Sequence, residues 1–271
     1  MRDVDGLPIE QRLPTPWSID WRHWQPAISS SGWKNSPECS ALARGRIFCT
    51  DFWRTAIMNL TSLIFSNHIW FPTATCWTLA PISVFFTVLA AKNLTTGRVL
   101  AAEPSSAAFA RLSGNVVAND TSDRVILYNG LVAHEDSTAT FNIVDGREEY
   151  SSMGDVVHPS VVGEKVHVET LPTMTLDTLV AEHALRPALI KVDVEGAEGM
   201  VFSGAEETLR KYRPVILSEF SRPLLEKSGS SPETIMKMFD RYGYDVHNPF
   251  NVGAKVGDVD FDEIIAIPRP Q

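Results

Sequence analysis

Two apolar runs that end in acidic residues limit what this chain can fold into. Ala188 to Val194 reads as a continuous apolar strand broken inside by Lys191, with Asp193 and Glu195 at its end. Pro214 to Phe220 reads as a second such strand, ending at Glu219. A strand without hydrophobic alternation is one buried on both faces, the signature of a parallel sheet covered by helices. Parallel neighbours must be joined by a crossover, usually a helix, and Gly199 to Tyr212 between the two runs is amphipathic.

The same alternation extends in both directions. Val88 to Lys92 reads as the end of a helix, Thr95-Thr96-Gly97 as a turn and Arg98 to Ala102 as a short strand. Pro104-Ser105-Ser106 then opens a helix, with Phe109, Leu112 and Val116 at helical spacing. Arg124 to Val132 reads as the next strand, followed by a hairpin-like stretch from Thr138 to Val144. A short helix follows over Thr175–Ala184 and another over Pro232–Tyr242, with closing strands at Val246 and Asp262–Ile267. The expected fold is α/β, a doubly wound, mostly parallel sheet of Rossmann-like type.

In such sheets a ligand sits beyond the carboxyl ends of the strands. Glu103 ends its strand before Pro104, where a carboxylate can accept two hydrogen bonds from a ribose diol; a solvated strand-end acid is the plainer alternative. Asp193 is either near a reacting centre or a cap for the following helix, and Glu195 is expected to face the crevice. Glu219 is either a general base for an acceptor hydroxyl or the partner of Lys191 or Arg213. Asn129 and Gly130 end the third strand. His134, His158, His167 and His247 are scattered, and no metal site is expected.

The segment Leu189–Phe220, LIKVDVEGAEGMVFSGAEETLRKYRPVILSEF, resembles the signature half of the FkbM methyltransferase family. Thr175-Leu176-Asp177-Thr178-Leu179 is similar to its short "TLD" helix, and Val99–Pro104 with Phe109–Leu112 and Asn115 is similar to its second strand and following helix. The resemblance covers about residues 85–267. It implies a Rossmann-like class I methyltransferase that uses S-adenosylmethionine, usually to methylate a hydroxyl of a sugar, polyketide or similar metabolite. The acceptor is then a small molecule or glycan. Asp193, Glu195 and Glu219 are the expected catalytic residues, and Glu103, Asn129 and Asp193 the expected cofactor-binding ones.

The family carries a glycine loop, D-x-G-A-N-x-G, after its first strand, where missing Cβ atoms let backbone approach the cofactor. This chain has Trp77-Thr78-Leu79-Ala80-Pro81-Ile82-Ser83-Val84-Phe85-Phe86 there, without Gly or Asp. Restarting at the third base of the Cys76 codon, permitted codons yield Leu-Asp-Ala-Gly-Ala-Asn-Ile-Gly-Phe-Phe, the loop in full. A shifted reading frame is therefore expected, and sequencing the DNA across residues 40–90 tests it. Composition agrees with a break. All seven Trp and all three Cys lie in the first 77 residues, and no Asp or Glu occurs from Phe52 to Ala102. The chain thus divides into an N-terminal extension (1–54), an anomalous apolar segment in place of the first strand and glycine loop (55–84), and the methyltransferase domain (85–271).

A net charge of −9 without basic runs argues against nucleic acid. Ile69–Ala91 is long enough for a membrane span, but Pro72, Pro81 and the lack of flanking charge asymmetry oppose it. Three cysteines without zinc spacing and no apolar leader favour the cytoplasm. A non-catalytic descendant acting as a binding protein is the main alternative. A nicotinamide-dependent oxidoreductase is disfavoured by the absence of G-x-G-x-x-G. The sequence does not set the oligomeric state.

Overall fold

A computed structural model describes residues 75–79, 83–94, 96–145, 151–153, 163–248, 256 and 261–270. Residues 71–269 form one compact unit, to which the description is confined. The N-terminal extension lies outside the described residues.

The main sheet has seven strands: β1 (Thr75–Leu79), β2 (Val99–Ala102), β3 (Val125–Tyr128), β7 (Pro187–Val192), β8 (Val215–Ser221), β9 (Tyr244–His247) and β10 (Phe261–Pro268). Their order is β3-β2-β1-β7-β8-β10-β9. The first five are parallel, and β10 runs antiparallel to both β8 and β9. The winding reverses between β1 and β7, and it is there that crevices open in such folds. The doubly wound, mostly parallel expectation is met.

The seven helices among the described residues are α1 (Ser83–Asn93), α2 (Ser106–Ala118), α3 (Leu176–Glu182), α4 (Glu198–Ser203), α5 (Glu206–Tyr212), α6 (Arg222–Lys227) and α7 (Pro232–Arg241). Side chains that satisfy orphan amides start several of them. Ser105 Oγ accepts from Ala108 N at 3.4 Å, Thr175 Oγ1 from Thr178 N at 3.0 Å, and Ser231 Oγ from Thr234 N at 3.2 Å. At α5 a residue distant in sequence does this work: Asp177 of α3 accepts from Glu207 N at 2.9 Å and Thr208 N at 2.7 Å.

One sheet face buries Leu100, Ile190, Val192, Ile216 and Phe220 against Leu179, Phe202, Leu209 and Phe239 of α3, α4, α5 and α7. The Phe202 and Phe239 rings meet edge-on, 4.9 Å between centroids. The other face buries Ala101 against Leu112 and Val116 of α2. In α2 the position next to Phe109 is the buried one: Ala108, Leu112 and Val116 face the sheet, and Phe109 is half-buried.

Three expectations need correction. The run Arg124–Val132 is two elements, because the chain breaks at Asn129-Gly130. Gly130 passes so near Tyr128 that a Cβ would stand 2.5 Å from its ring. Beyond it, β4 (Leu131–Ala133) joins β5 (Ser137–Val144) and β6 (Val166–Thr175) in a second sheet, ordered β4-β6-β5. The helix expected over Gly199–Tyr212 is likewise two. Gly204 lies between α4 and α5 with its backbone against Ala133, whose carbonyl oxygen would be 2.1 Å from a Cβ there. Finally, the apolar segment does supply a first strand: β1 pairs in parallel register with β2 (Cys76↔Val99 to Leu79↔Ala102) and with β7. That strand is incompatible with a spanning helix over residues 69–91, and no helix among the described residues is long and apolar enough to cross a membrane.

Candidate active site

Lys191 of β7 and Asp193, the first residue past its end, lie on one side of the sheet, as side chains two apart on an extended backbone do. Lys191 Nζ donates to Asp193 Oδ2 at 2.6 Å, and their side chains are 5% and 11% exposed. The ammonium also sits 5.4 Å from the centroid of the Phe86 ring in α1. Asp193 is therefore an ion-pair partner. It is not the cap of α4, whose N-cap is Ala197 with no side-chain bond.

The parallel register pairs Lys191 with Leu217 and Val192 with Ser218, which brings Asp193 level with Glu219 of β8. Glu219 is pushed up to about 7, first by burial, then by the Asp193 charge, with Lys191 opposing and Glu198 adding to the rise. The expected ion pair of Glu219 with Lys191 or Arg213 takes another form. Lys191 bonds Asp193 and acts on Glu219 through its field, and Arg213 donates to the carbonyls of Tyr242, Gly243 and Arg269. Across the antiparallel ladder Glu263 of β10 stands opposite Glu219. Sequence reasoning missed Glu263, whose relevance depends on which residue it faces.

After β7 the backbone turns through two left-handed residues, Glu195 (φ 50°) and Gly196 (φ 98°). Glycine is required at the second. A Cβ there would stand 2.7 Å from Leu224 Cβ and 2.9 Å from Leu224 backbone atoms. Glu198, almost wholly buried at 1% exposure, accepts through Oε1 from Val194 N at 3.1 Å and Gly196 N at 3.2 Å. Burial pushes its carboxyl up to about 7, against the pull of these amides. Its position next to a helix start makes it read in sequence as a partner of the helix dipole; its burial was not legible.

At the β2 end, Glu103 is 2% exposed and accepts through Oε1 from Ser105 N at 2.9 Å. Asn129 Nδ2 donates to the Glu103 carbonyl at 2.8 Å and the Pro104 carbonyl at 3.2 Å. Asn129 therefore ties the β3 end to the turn that carries Glu103. The structure thus brings Asp193 and Glu219 together with Lys191 and Glu198. Glu103 and Asn129 form a second group at the ends of β2 and β3, with β1 between the groups in the sheet order.

The link from β1 to α1 contains no glycine, so backbone approach to the methionine end of S-adenosylmethionine, as the family's loop provides it, is not encoded here. No group of His, Cys, Asp and Glu suited to a metal occurs among the described residues.

The profile of the methyltransferase FkbM domain matches residues 79–246, more than half of the chain. Among solved structures, an FkbM methyltransferase from Methylobacillus flagellatus KT is 13% identical, with a TM-score of 0.45, over 74% of this chain and 45% of that one. This chain thus spans less than half of that protein's length. A precorrin-6y C5,15-methyltransferase from Geobacter metallireducens GS-15 is 13% identical, with a TM-score of 0.43, over 80% of this chain and 88% of its own. Cofactor-bound Rv0187 from MTB is 16% identical, with a TM-score of 0.47, over 96% and 100%. No curated protein matches. By its matched domain the chain belongs to the FkbM methyltransferase family, on a Rossmann-like fold whose cofactor is S-adenosylmethionine.

Proposed function

We propose that this fold serves O-methylation of a hydroxyl on a small metabolite or sugar, with Glu219 as the proton acceptor. The observation behind this is a buried carboxyl near the end of β8, beside Asp193, whose proton affinity is raised to about 7. When bound, S-adenosylmethionine supplies a methyl group on a positively charged sulfur. The residues of this chain do the rest. Glu103 binds the ribose diol and Asn129 holds the turn that presents it. Asp193 and Glu195 line the cofactor's charged end, and Glu219 takes the acceptor's hydroxyl proton. A general base matched to neutral pH contributes about 10²–10⁴-fold. Much of the remaining acceleration comes from alignment of the reactants. The acceptor is a small molecule or glycan, and the place of action is the cytoplasm.

The connection between Leu79 and Ser83 supports a second reading, a non-catalytic descendant, because Ala80-Pro81-Ile82 replaces the glycine loop. Calorimetric titration with S-adenosylmethionine separates the two. One sample is the present chain; in the other, Asp-Ala-Gly-Ala-Asn-Ile-Gly replaces residues 78–84, from the end of β1 into the start of α1. Binding by the restored chain alone supports an enzyme whose loop was lost. Tight binding by the chain as given overturns the loop argument, and binding by neither favours the descendant. With a restored loop, Glu219→Gln is expected to lower methyl transfer to a hydroxyl acceptor about 100-fold. An unchanged rate removes Glu219 from the chemistry.

A further inference from the structure

Glu198 is the buried acid that the reading above leaves without a role. Its Oε1 takes two amides, Val194 N and Gly196 N, from the turn that follows β7. Its Oε2 is buried with no hydrogen-bond partner among the described residues. The turn it holds contains Glu195 at φ 50°, a conformation that costs a non-glycine residue about 1–2 kcal/mol. On the opposite side Ser228 Oγ donates to the Gly196 carbonyl, and Leu224 packs where a Gly196 side chain would be. The turn is therefore clamped at its amides by α4 and at its carbonyl by the end of α6. An uncharged amide acceptor would suffice for two N–H groups, so a buried carboxylate here is more than packing requires.

We propose that Glu198 is the positioning residue of this site: it fixes the left-handed turn that places Asp193 and Glu195, and its negative charge is part of the field in which Glu219 works. The first half stands independently of the proposed reaction; the second rests on Glu219 being the proton acceptor. The charged groups around the pair come from several elements. β7 contributes Lys191 and Asp193, β8 contributes Glu219, and β10 places Glu263 across from it. On α6, Arg222 is engaged by Glu226 and Glu233. Among the influences on Glu219, Glu198 raises its proton affinity together with Asp193, and Lys191 opposes them.

Two variants separate shape from charge. Glu198→Gln keeps an oxygen for both amides and removes the charge; Glu198→Ala removes both. Hydrogen exchange at the Val194 and Gly196 amides reads the turn. The carboxyl carbon signal of Glu219, recognised by its loss in Glu219→Gln, reads the field in protein labelled at Glu. Glu198→Gln is expected to keep amide protection within a few-fold of the starting chain and to move the Glu219 midpoint down. Glu198→Ala is expected to lose protection at both amides by at least tenfold while distant amides keep theirs. If that variant fails to fold, the Glu198→Gln titration alone decides. A Glu219 midpoint unmoved in Glu198→Gln, or amides as protected in a folded Glu198→Ala as before, overturns the proposal. Neither measurement uses cofactor or acceptor, so failure of the proposed reaction would leave both results standing.

Discussion

Lys191→Met removes the ammonium that meets Asp193 at 2.6 Å, in a place where both side chains are about nine-tenths buried. Methionine fills a similar volume and keeps apolar contact near the Phe86 ring, so the loss is mainly electrostatic. It leaves the Asp193 carboxylate out of water without its counter-charge. Removing one partner of a buried pair costs about 3–5 kcal/mol. For a domain of this size each kcal/mol lowers Tm by about 2–4 °C, so the expected drop is roughly 6–20 °C. Urea unfolding at pH 8, followed by circular dichroism, gives the free energy directly. Adding Asp193→Asn should recover most of the loss, because the uncompensated charge is then gone. A single-variant cost below about 1 kcal/mol, or a double variant no better than the single, would show that water screens the pair. The same variant also removes the charge that holds Glu219 down. Its midpoint should therefore rise, opposite to the change expected for Glu198→Gln.

Three further outcomes follow from the same geometry. Glu198 and Glu219 both hold protons more tightly folded than unfolded, at about 7 against an ordinary 4.5. The stability they contribute is thus fully present below pH 4.5 and is lost as pH rises to about 7. The doubly substituted Glu198→Gln/Glu219→Gln chain should show a flatter stability profile there, by a few kcal/mol across the window, and an unchanged slope in urea midpoints would contradict this. Gly204→Ala puts a Cβ 2.1 Å from the Ala133 carbonyl oxygen, so the α4–α5 junction must move away from β4 at a cost of about 1–3 kcal/mol, readable as a lower Tm. Asp177→Ala frees the amides of Glu207 and Thr208 and should cost about 1–2 kcal/mol, with faster hydrogen exchange concentrated in α5.

How much was legible depended on whether a feature is local. β7 and β8 were, because burial on both faces removes alternation, although β7 stops one residue before Asp193 and β8 runs two residues past Glu219. The Thr175 cap and the start of α7 at Pro232 were legible for the same reason. The break between α4 and α5 was not, since nothing around Gly204 shows that its backbone must lie against Ala133. β6 was missed because Val166–Leu171 mixes apolar and polar residues with no buried face, Val166 and Val168 being exposed; its order comes from pairing with β5 from Ser137↔Thr173 to Val144↔Val166. In the site, Asp193 and Glu219 were found by position along their strands. Glu198 and Glu263 were not, because the first folds back onto the amides of Val194 and Gly196, and the relevance of the second lies in its antiparallel register with β8.

β1 shows why a fold can outlast part of its site. A central strand is held by backbone hydrogen bonds to both neighbours, and these do not depend on which side chains it carries. The stretch Thr75-Cys76-Trp77-Thr78-Leu79 is rich in β-branched and aromatic residues, which suit a pleated surface. It pairs in register with β2 and β7 whatever its origin. The loop after it is another matter, because close approach to a cofactor depends on absent Cβ atoms and on φ values that proline and isoleucine resist. Sheet pairing tolerates substitution and cofactor contact does not. A chain altered only in this region should therefore keep its cooperative unfolding and its buried acids, and lose cofactor affinity. Restoring the seven residues at 78–84 should return that affinity with little change in Tm before cofactor is added. A restored loop that also raised the cofactor-free Tm by ten degrees or more would mean that the present strand is poorly held, and the separation of fold from site would fail.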